Sequence, residues 1–363
     1  MRSAVLDPCA TSAGVVDPDE YIAALMSWHF SPETGSPYWL RRARELDFDP
    51  LTDVRTYADI ARFPNVVDEF RDIPVEDLIP RGLRGRDREI AGVFESGGTT
   101  GAPKRFVMFD AWMEFALSWD EHHYAGITPV NTLAVAPSGP HMFGEFATRR
   151  AARQGGVKFT VDLDPRWIKR LIARGESAEA DRYVEHLIDQ VADILTTQSV
   201  GLLITTPPLL ERIAQRPELA DAIRANVRFI CWSGAHMDAD SREIFRQEIF
   251  PGIPLKGLYG STTILGMSRE RDTERPDGLA LFDPPSPYIT FDVVDPETRK
   301  PVAVGERGQV VMNHLTRFAL LPNNLERDLA TKAEPLPGTL GCAVADVGPV
   351  ASFADTAVIE GVY

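Results

Sequence analysis

Apolar runs that alternate with helical periods between Ile90 and Tyr259 restrict the fold more than any other feature of this chain. Strands are expected at 90–94, 106–109, 133–136, 157–161, 201–204, 227–232 and 255–259. Helices are expected at 183–195, 209–214 and 242–250, the first with apolar residues spaced i, i+3, i+4 and i+7. This order predicts an α/β fold, in which strand ends deliver loops to one edge of a sheet where ligands bind.

The pattern divides the chain into three parts. Residues 1–16 are expected to form a loose N-terminus, and Asp17-Pro18 predicts a capped helix with proline at its first position. A helical, charged segment follows, which we expect to wrap the molecule and take no part in chemistry, so that residues 17–283 form the α/β core. After Pro284 the helical period ends. Runs at 288–294 and 309–314 flank the turn residues 295–298 and predict a β-hairpin in a smaller β-rich subdomain, residues 284–363.

The segment 96–104, Ser-Gly-Gly-Thr-Thr-Gly-Ala-Pro-Lys, lies between the first two predicted strands, both expected to be buried. Glycines let successive backbone N–H groups turn toward one anion, hydroxyls add donors, and lysine adds a charge suited to phosphate. The spacing of a Walker A loop is absent. The segment therefore predicts a polyphosphate site, with a polar surface turn as the alternative. The predicted phosphate ligands are Ser96, Gly97, Gly98, Thr99, Thr100, Gly101 and Lys104.

Charge and cysteine content argue against several classes of partner. Acidic residues number 53 and basic residues 38, a net charge of -15 that disfavours nucleic acid or an anionic membrane as the main partner. The three cysteines are odd in number and widely spaced, which indicates no disulfide framework and a reducing compartment. No stretch approaches the ~18 apolar residues of a membrane-spanning helix. We expect a cytoplasmic protein that can form a homodimer.

Three motifs in sequence order resemble those of the ANL superfamily of adenylate-forming enzymes, which contains acyl-CoA ligases, peptide-synthetase adenylation domains and luciferases. The loop 96–104 is similar to the superfamily's phosphate loop. Ser233-Gly234-Ala235 is similar to its adenine-edge segment, and Tyr259-Gly260-Ser261-Thr262-Thr263 is similar to its Y-G-x-T-E motif. Segments at 294–298, 305–310, 315–317 and 336–339 resemble the phenylacetate–CoA ligase branch. The resemblance covers roughly residues 55–363.

The resemblance implies a role for each matched residue. Tyr259 would stack on the adenine of ATP, Asp328 would chelate the ribose hydroxyls with Asp346 as a rival, and Lys104 and His141 would act at the reacting groups. The residues implied to line the adenine are Ser233, Gly234, Ala235, Gly260, Ser261 and Thr262. The expected wall of the acid pocket, apolar near the motifs, comprises Phe143, Gly144, Trp232, Ile264, Leu265 and Met267. Trp232 can equally be a core residue.

Two positions depart from the superfamily pattern. The glutamate of Y-G-x-T-E, which helps to hold Mg²⁺, is Thr263 here, and a hydroxyl is a weaker ligand for a hard cation than a carboxylate. Thr263 is therefore only a weak metal-ligand candidate, and we expect phosphates and water to hold Mg²⁺. Residues 354–363 resemble the hinge that leads into a mobile C-terminal cap domain. We expect the cap to be absent, as in cap-less relatives from phenazine antibiotic biosynthesis.

The expected function is ATP- and Mg²⁺-dependent adenylation of a small aromatic carboxylic acid, giving an acyl-AMP. A downstream reductase or acyltransferase of secondary metabolism would consume this intermediate. Two alternatives stay open. The first is a catalytically degraded fold that binds nucleotide or aromatic acid as a carrier or scaffold, and the second is phosphoryl transfer on an unrelated glycine-rich loop, which would release ADP instead of AMP.

Overall fold

Helices and strands alternate along the chain in the order that the sequence predicts. The structure is a computed structural model that describes residues 5–7, 17–96, 102–121, 126, 130–273, 275–350, 352–353 and 356–357. The α-helices in these residues are α1 (Pro18–Phe30), α2 (Pro37–Arg42), α3 (Pro50–Asp53), α4 (Asp110–Asp120), α5 (Met142–Arg153), α6 (Pro165–Ala173), α7 (Ser177–Thr197), α8 (Pro207–Ala214), α9 (Pro217–Asn226) and α10 (Ala239–Ile244). The strands are β1 (Ile90–Glu95), β2 (Arg105–Phe109), β3 (Thr132–Ala136), β4 (Lys158–Asp162), β5 (Leu202–Thr205), β6 (Phe229–Trp232), β7 (Leu255–Ser261), β8 (Gly266–Glu270), β9 (Leu281–Asp283), β10 (Ile289–Val294), β11 (Arg307–Leu315), β12 (Leu320–Ala333), β13 (Ala343–Pro349), β14 (Ser352–Phe353) and β15 (Thr356–Ala357).

A mixed sheet of 11 strands, in the order β10-β11-β12-β13-β9-β8-β7-β6-β5-β3-β4, runs through the described chain. Strands β4, β3, β5, β6 and β7 are parallel to one another. From β7 onward each pairing is antiparallel, through β8, β9, β13, β12 and β11 to β10. The large mixed sheet flanked by helices confirms the predicted α/β class. Because β7 separates the parallel part from the antiparallel part, the loop after it lies where the two meet.

The parallel strands form the centre of the core. Every residue of β3, β5 and β6 is buried, as continuous apolar runs predict for strands covered on both faces. Helix α7 buries Leu187, Ile188, Val191 and Leu195, a stripe at helical spacing, although the helix extends beyond the predicted 183–195. The predicted helix at 242–250 is only partly α-helical, because a π-helical turn, Phe245–Ile249, follows α10.

The hairpin of β1 and β2 stands apart from the large sheet and corrects one expectation. These two strands pair only with each other, so β1 has an open edge. Side chains of Ile90 and Val93 are 49% and 41% exposed, whereas Phe106 and the rest of β2 as far as Phe109 pack into the core. The prediction of two buried strands is therefore right for β2 and wrong for β1.

Helix α1 begins as predicted and fastens the N-terminal region to the end of β11. Asp17 Oδ1 accepts hydrogen bonds from the backbone N of Asp19 and Glu20, at 2.9 and 3.1 Å, and proline occupies the first position. Further along α1, Trp28 Nε1 donates to the carbonyl of Arg317 at 2.8 Å. Much of the remaining N-terminal region consists of short helical turns, at Ala43–Glu45, Tyr57–Arg62, Val67–Arg71, Val75–Leu78 and Gly85–Arg88.

The region after Pro284 continues the same sheet. Strands β10 and β11 pair antiparallel from Ile289↔His314 to Val294↔Gln309, which confirms the predicted hairpin. The Asp295 side chain begins the turn between them by accepting from the backbone N of Thr298 at 2.7 Å. The predicted division of the chain at residue 283 stays a prediction. Most of the predicted loose N-terminus and of the hinge-like C-terminal segment, including residues 1–4, 8–16 and 358–363, falls outside the described residues. Among the described residues, none of the helices has the length and apolar character that would be needed to cross a membrane.

Candidate nucleotide and acid site

A cleft of about 510 Å³ opens at the carboxyl ends of the parallel strands. Ala136 of β3, Thr205 of β5, Trp232 of β6 and Ser261 of β7 lie on its wall. The side walls come from the base of the β1–β2 hairpin, from the start of α5 and from β12 and β13. This is the sheet edge at which the α/β pattern predicts ligand binding.

The base of the predicted phosphate loop lies on this cleft. The backbone N of Ser96 donates to the carbonyl of Lys104 at 3.0 Å, and the backbone N of Lys104 donates to Ser96 Oγ at 3.2 Å. These two bonds close the loop at its neck. The intervening residues 97–101, with the predicted ligands Gly97, Gly98, Thr99, Thr100 and Gly101, lie outside the described residues.

Lys104 is held by a carboxylate from the N-terminal region. Its Nζ lies 2.9 Å from Asp68 Oδ1, and Arg71 contacts the same oxygen at 2.8 Å. Burial acts to raise the pKa of Asp68, but the hydrogen bond and charge of Lys104 and the charge of Arg71 outweigh it, so the pKa is lowered. Arg71 Nε also donates to the carbonyl of Ala102 at 3.0 Å, in the segment that leads from the loop into β2.

These contacts bring the N-terminal region to the wall of the cleft, and its expected lack of a part in the chemistry stays a prediction. Asn65, Asp68 and Arg71 all line the cleft. Sequence reasoning missed them because they belong to no motif, and their charges are those of an ordinary solvated turn. Only the packing of this turn against the loop brings Asp68 to Lys104.

His141 lies on the cleft wall at the N-cap position of α5. The carbonyl of the preceding Pro140 accepts from the backbone N of Glu95 at 2.8 Å, which joins this wall to the neck of the phosphate loop. Burial lowers the pKa of His141, and the positive charge of Arg166 lowers it further. The imidazole is therefore neutral at pH 7 and can exchange hydrogen bonds with a ligand without adding a fixed charge.

The predicted adenine-edge residues Ser233, Gly234 and Ala235 all line the cleft. Ser233 Oγ donates to the carbonyl of Leu258 at 2.8 Å, which fixes the end of β6 to β7. Gly234 has φ of 81°, a left-handed conformation that costs glycine little. The role of this segment is thus to turn the backbone sharply along the cleft.

Tyr259 and Asp328 meet on the opposite wall. The Tyr259 hydroxyl donates to Asp328 Oδ2 at 2.9 Å, and its ring packs 5.6 Å from that of Phe291. Burial, followed by the charge of Asp328, raises the pKa of Tyr259 well above its usual value, so the hydroxyl stays a donor. Gly260, next along β7, has no room for a side chain, because an added Cβ would lie 2.4 Å from the carbonyl oxygen of Gly266.

The rival aspartate, Asp346, also lines the cleft but has different partners. Its carboxylate pairs with Arg307, and Arg307 Nη1 also donates to the Asp346 carbonyl at 2.8 Å. His236 Nε2 lies 3.7 Å from the other carboxylate oxygen. Asp346 is therefore neutralised by an arginine, whereas Asp328 is oriented by the tyrosine of the Y-G-x-T motif.

A chain of hydrogen bonds links the turn after β7 to a carboxylate of β12. The Thr263 hydroxyl donates to Glu326 Oε1 at 2.5 Å, and Asn324 Nδ2 donates to the same oxygen at 2.7 Å. Ser261 Oγ lies 2.5 Å from Thr263 Oγ1 and supplies the next donor in the chain. All four residues line the cleft. Sequence reasoning missed Glu326, because the register of β12 against β11 shifts between Leu325 and Leu329 and regular strand alternation does not hold there.

Half of the predicted acid-pocket residues lie on the cleft, and half do not. Phe143, Trp232 and Met267 line it, together with Phe282, whose ring centroid is 5.8 Å from that of Trp232. The residues that do not line it are Gly144, Ile264 and Leu265. Gly144 lies in α5 and packs closely against the backbone of Ser138, which precedes the helix, so that an added Cβ would lie 2.5 Å from the Ser138 carbonyl oxygen.

Ile264 and Leu265 belong to the core because their turn is anchored from behind. The carbonyl of Ile264 accepts from His314 Nδ1 at 2.5 Å, and the carbonyl of Leu265 accepts from Trp112 Nε1 at 2.7 Å. Their side chains are 0% and 3% exposed. The turn therefore presents the hydroxyls of Thr262 and Thr263 to the cleft and its apolar side chains to the core.

Two polar atoms in the wall of the acid pocket are buried without a hydrogen-bond partner among the described residues. They are Trp232 Nε1 and Thr206 Oγ1. Both residues line the cleft, Thr206 directly after β5 and Trp232 at the end of β6. A buried polar group without a partner lowers the stability of the fold, and a ligand or water in the cleft can supply the missing hydrogen bond. No group of three or more His, Cys, Asp or Glu residues within the described ranges could hold a metal ion.

Comparison with known proteins supports this reading of the fold. The sequence family described as AMP-binding enzyme matches residues 178–316, which contain the segments at 233–235 and 259–263. A structure of 2-hydroxyisobutyryl-CoA ligase in the postadenylation state with R3-HIB-AMP shows 18% identity over 92% of this chain and 67% of that chain, with a TM-score of 0.57. The same ligase with 2-HIB-AMP and CoA shows 20% identity over 94% and 69%, also with a TM-score of 0.57.

An ATP-bound RpMatB-BxBclM chimera is similar at 20% identity over 73% of this chain and 49% of that chain, with a TM-score of 0.50. The chain thus spans between about half and seven tenths of the length of these structures. No curated protein sequence gives a significant match. Residues 178–316 therefore match the AMP-binding enzyme family, and the chain shares the fold of the CoA ligase structures described here.

Proposed function

We propose that the chain adenylates a carboxylic acid with ATP in this cleft. A carboxylate oxygen of the acid attacks the α-phosphorus of ATP and forms an acyl-phosphate bond. The bond from the α-phosphorus to the bridging oxygen breaks, and pyrophosphate leaves with the electron pair. The products are an acyl-AMP and pyrophosphate.

One observation carries this proposal, which is that three groups of the kinds that suit a nucleotide face one cleft. Lys104 and Ser96 stand at the neck of a glycine-rich loop, Tyr259 and Asp328 form a hydrogen-bonded pair, and 233–235 makes a sharp turn. The match of 178–316 to the AMP-binding enzyme family supports the nucleotide. The acyl-adenylates named for structures with this fold support the reaction type.

The proposed roles follow from the chemistry of each group. Lys104 leaves Asp68 and contacts the phosphates, where it stabilises the charge that develops in the transition state. Asp328 accepts hydrogen bonds from the ribose hydroxyls, in preference to Asp346, which Arg307 already neutralises. The neutral His141 is placed to donate a hydrogen bond to the acid's carboxylate.

The oxygen donors of the cleft fit magnesium, which prefers oxygen ligands and keeps several waters beside the phosphates. Glu326, Thr263 and Ser261 present such oxygens on one wall. When bound with ATP, Mg²⁺ would neutralise charge on the departing pyrophosphate.

We further propose that the acid is aromatic and that the product serves secondary metabolism, as the resemblance to the phenylacetate–CoA ligase branch and to phenazine biosynthesis suggests. The apolar wall of Phe143, Trp232, Met267 and Phe282 supports a flat, apolar acyl group. The activated acyl group then passes to an acceptor. A thiol such as CoA, which one structure of this fold contains, a reductase and an acyltransferase are the proposed consumers.

Exchange of labelled pyrophosphate into ATP tests the reaction without knowledge of the acceptor. Purified protein with Mg²⁺ is expected to show exchange that depends on an aryl acid from a panel and that falls in Lys104→Ala. A panel of aliphatic acids of the same size serves as the comparison for the aromatic preference. Absence of exchange with every acid contradicts the proposal.

Thr263 favours a second candidate function, binding of nucleotide or aromatic acid without turnover. The Y-G-x-T-E carboxylate is missing at this position, so metal-assisted chemistry could have been lost. This candidate predicts saturable ATP binding in calorimetry together with no exchange and no AMP. Detection of AMP with pyrophosphate excludes it.

A further inference from the structure

We infer that Glu326 is the metal-binding carboxylate of this cleft and takes the place of the carboxylate missing at position 263. The inference rests on the proposed function, since it concerns how MgATP would bind. It assigns the role to a residue on β12, a different strand from the one that carries the Y-G-S-T-T motif.

The hydrogen bonds leave one oxygen of Glu326 for a ligand. Oε1 accepts from Thr263 Oγ1 at 2.5 Å and from Asn324 Nδ2 at 2.7 Å. Within the ranges that the structure describes, Oε2 accepts no hydrogen bond and Glu326 makes no ion pair. The two donors fix the carboxylate, and Asn324 is itself only 3% exposed and cannot move freely. The carboxylate is thus held in place on the cleft wall with one oxygen available.

Charge gives the second argument. Glu326 and Asp328 are carboxylates two residues apart on β12, and both line a cleft that would hold the polyanion ATP. Asp328 is oriented by Tyr259 and has ribose hydroxyls as suitable partners. A second carboxylate near phosphates would repel them unless a cation lay between, and a divalent cation with oxygen ligands satisfies both.

Thr263 supports the assignment because its hydroxyl is hydrogen-bonded to Glu326. It donates its proton to Glu326 and accepts in turn from Ser261, so it acts as a positioning residue for the carboxylate. The carboxylate therefore reaches the end of β7 from the neighbouring wall, at the side chain where the Y-G-x-T-E pattern has its glutamate.

Binding of Mn²⁺ in place of Mg²⁺ tests the inference without any turnover. Electron paramagnetic resonance follows free Mn²⁺ while it is titrated into protein saturated with α,β-methylene-ATP, which cannot release pyrophosphate. Glu326→Gln is expected to weaken Mn²⁺ binding roughly 10- to 100-fold, the range found when groups that support a metal are removed. Its affinity for the nucleotide in EDTA is expected to stay at the wild-type value.

Two further variants sharpen the result. Glu334→Gln removes an exposed carboxylate just beyond the end of β12 and is expected to bind Mn²⁺ as the wild type does. The exchange of side chains in Thr263→Glu with Glu326→Thr returns the carboxylate to position 263 and is expected to recover most of the lost affinity.

Equal Mn²⁺ affinity in wild type and Glu326→Gln, with normal nucleotide binding in EDTA, overturns the assignment alone. Weaker nucleotide binding by Glu326→Gln in EDTA also overturns it, because the carboxylate would then contact the nucleotide itself. Failure of the wild type to bind the nucleotide both in EDTA and with saturating Mn²⁺ instead overturns the proposed function on which the assignment rests.

Discussion

The hydroxyl of Tyr259 donates a hydrogen bond to the carboxylate of Asp328 at 2.9 Å, although their strands are not neighbours in the sheet. Strands β13, β9 and β8 lie between β12 and β7 in the sheet order. The bond therefore reaches across the sheet and joins the Y-G-S-T-T segment to the Glu-Arg-Asp segment. In the proposed function, this pair sets where the base and the ribose of ATP lie.

Tyr259→Phe removes this bond and keeps the ring. We expect ATP affinity to fall about threefold to tenfold, because a lost hydrogen bond of ~1 kcal/mol no longer orients Asp328. Asp328→Asn should weaken ATP further, and the double variant should lose less than the sum of the two, as residues that act together do. Isothermal titration calorimetry measures all three.

Tyr57→Phe is the matched control for this series. Its hydroxyl bonds Asp292 and Thr290, and Tyr57 is not among the residues that line the cleft. The control is expected to lower stability but not ATP affinity. Strict additivity of Tyr259→Phe and Asp328→Asn would contradict the coupling of these two residues.

Lys104 forms an ion pair with Asp68, and under the proposed function this pair competes with the phosphates of ATP for the lysine. Asp68→Asn is expected to tighten ATP binding, by no more than about fivefold, because a partly exposed pair is worth at most ~1 kcal/mol. Lys104→Met is expected to lower the pyrophosphate exchange rate by about 10²-fold or more, since it removes a charge that acts on the transition state. Calorimetric titration with ATP measures the first effect, and pyrophosphate exchange at saturating ATP measures the second.

Asp77→Asn, which breaks an exposed pair with Arg41 away from the cleft, provides the control and should leave both values unchanged. Weaker ATP binding by Asp68→Asn would mean that Asp68 helps to hold the nucleotide. The prediction that Asp68 competes with phosphate for Lys104 would then be wrong.

Two buried histidines predict a loss of stability in acid. Burial lowers the pKa of His29 and of His314 to about 4, against small opposing effects of backbone hydrogen bonds. His314 Nδ1 must carry its proton to donate to the Ile264 carbonyl, while Nε2 accepts from Thr316 Oγ1 at 2.7 Å, so the ring is neutral in the fold.

The unfolded chain binds these protons near pH 6.5 and the folded chain only near pH 4, so the unfolded state holds more protons between these values. The contribution of each neutral histidine to the free energy of unfolding is therefore fully present above pH 6.5. It is lost as the pH drops toward 4, and the loss is at most about 3 kcal/mol for each histidine. Urea unfolding of His314→Asn should show a shallower decline than wild type between pH 6.5 and 4. His186→Asn, on the exposed side of α7, should keep the wild-type slope; equal slopes in His314→Asn and wild type would contradict the prediction.

The central strands could be predicted from sequence because each is a continuous apolar run between turn residues. Strands β5 and β6 are buried throughout, so their signal is independent of their neighbours. The exposure of β1 in the β1–β2 hairpin, in contrast, could not be predicted from its sequence. Val93 lies in an equally apolar run, yet it is 41% exposed, because exposure depends on whether the large sheet covers the strand.

The site was predictable where its residues share a motif and unpredictable where the fold brings distant segments together. Gly234 and Tyr259 come from two different motifs, and both line the cleft near the ends of adjacent strands. Asp68 and Glu326 carry no motif, and only the packing of a turn or of β12 against the cleft reveals them. Leu265 was assigned to the pocket from nearness in sequence, which does not determine the side of a turn that a residue faces.

Transfer of oxygen from the acid to AMP tests the central claim most directly. An acid that supports exchange is labelled with ¹⁸O in both carboxylate oxygens and incubated with protein, ATP, Mg²⁺ and hydroxylamine, which captures the activated acyl group. Attack of the carboxylate on the α-phosphorus predicts AMP that carries one ¹⁸O on its phosphate, detected by mass spectrometry, together with the hydroxamate. AMP without the label, or ADP as the nucleotide product, would contradict the formation of an acyl-adenylate in this cleft.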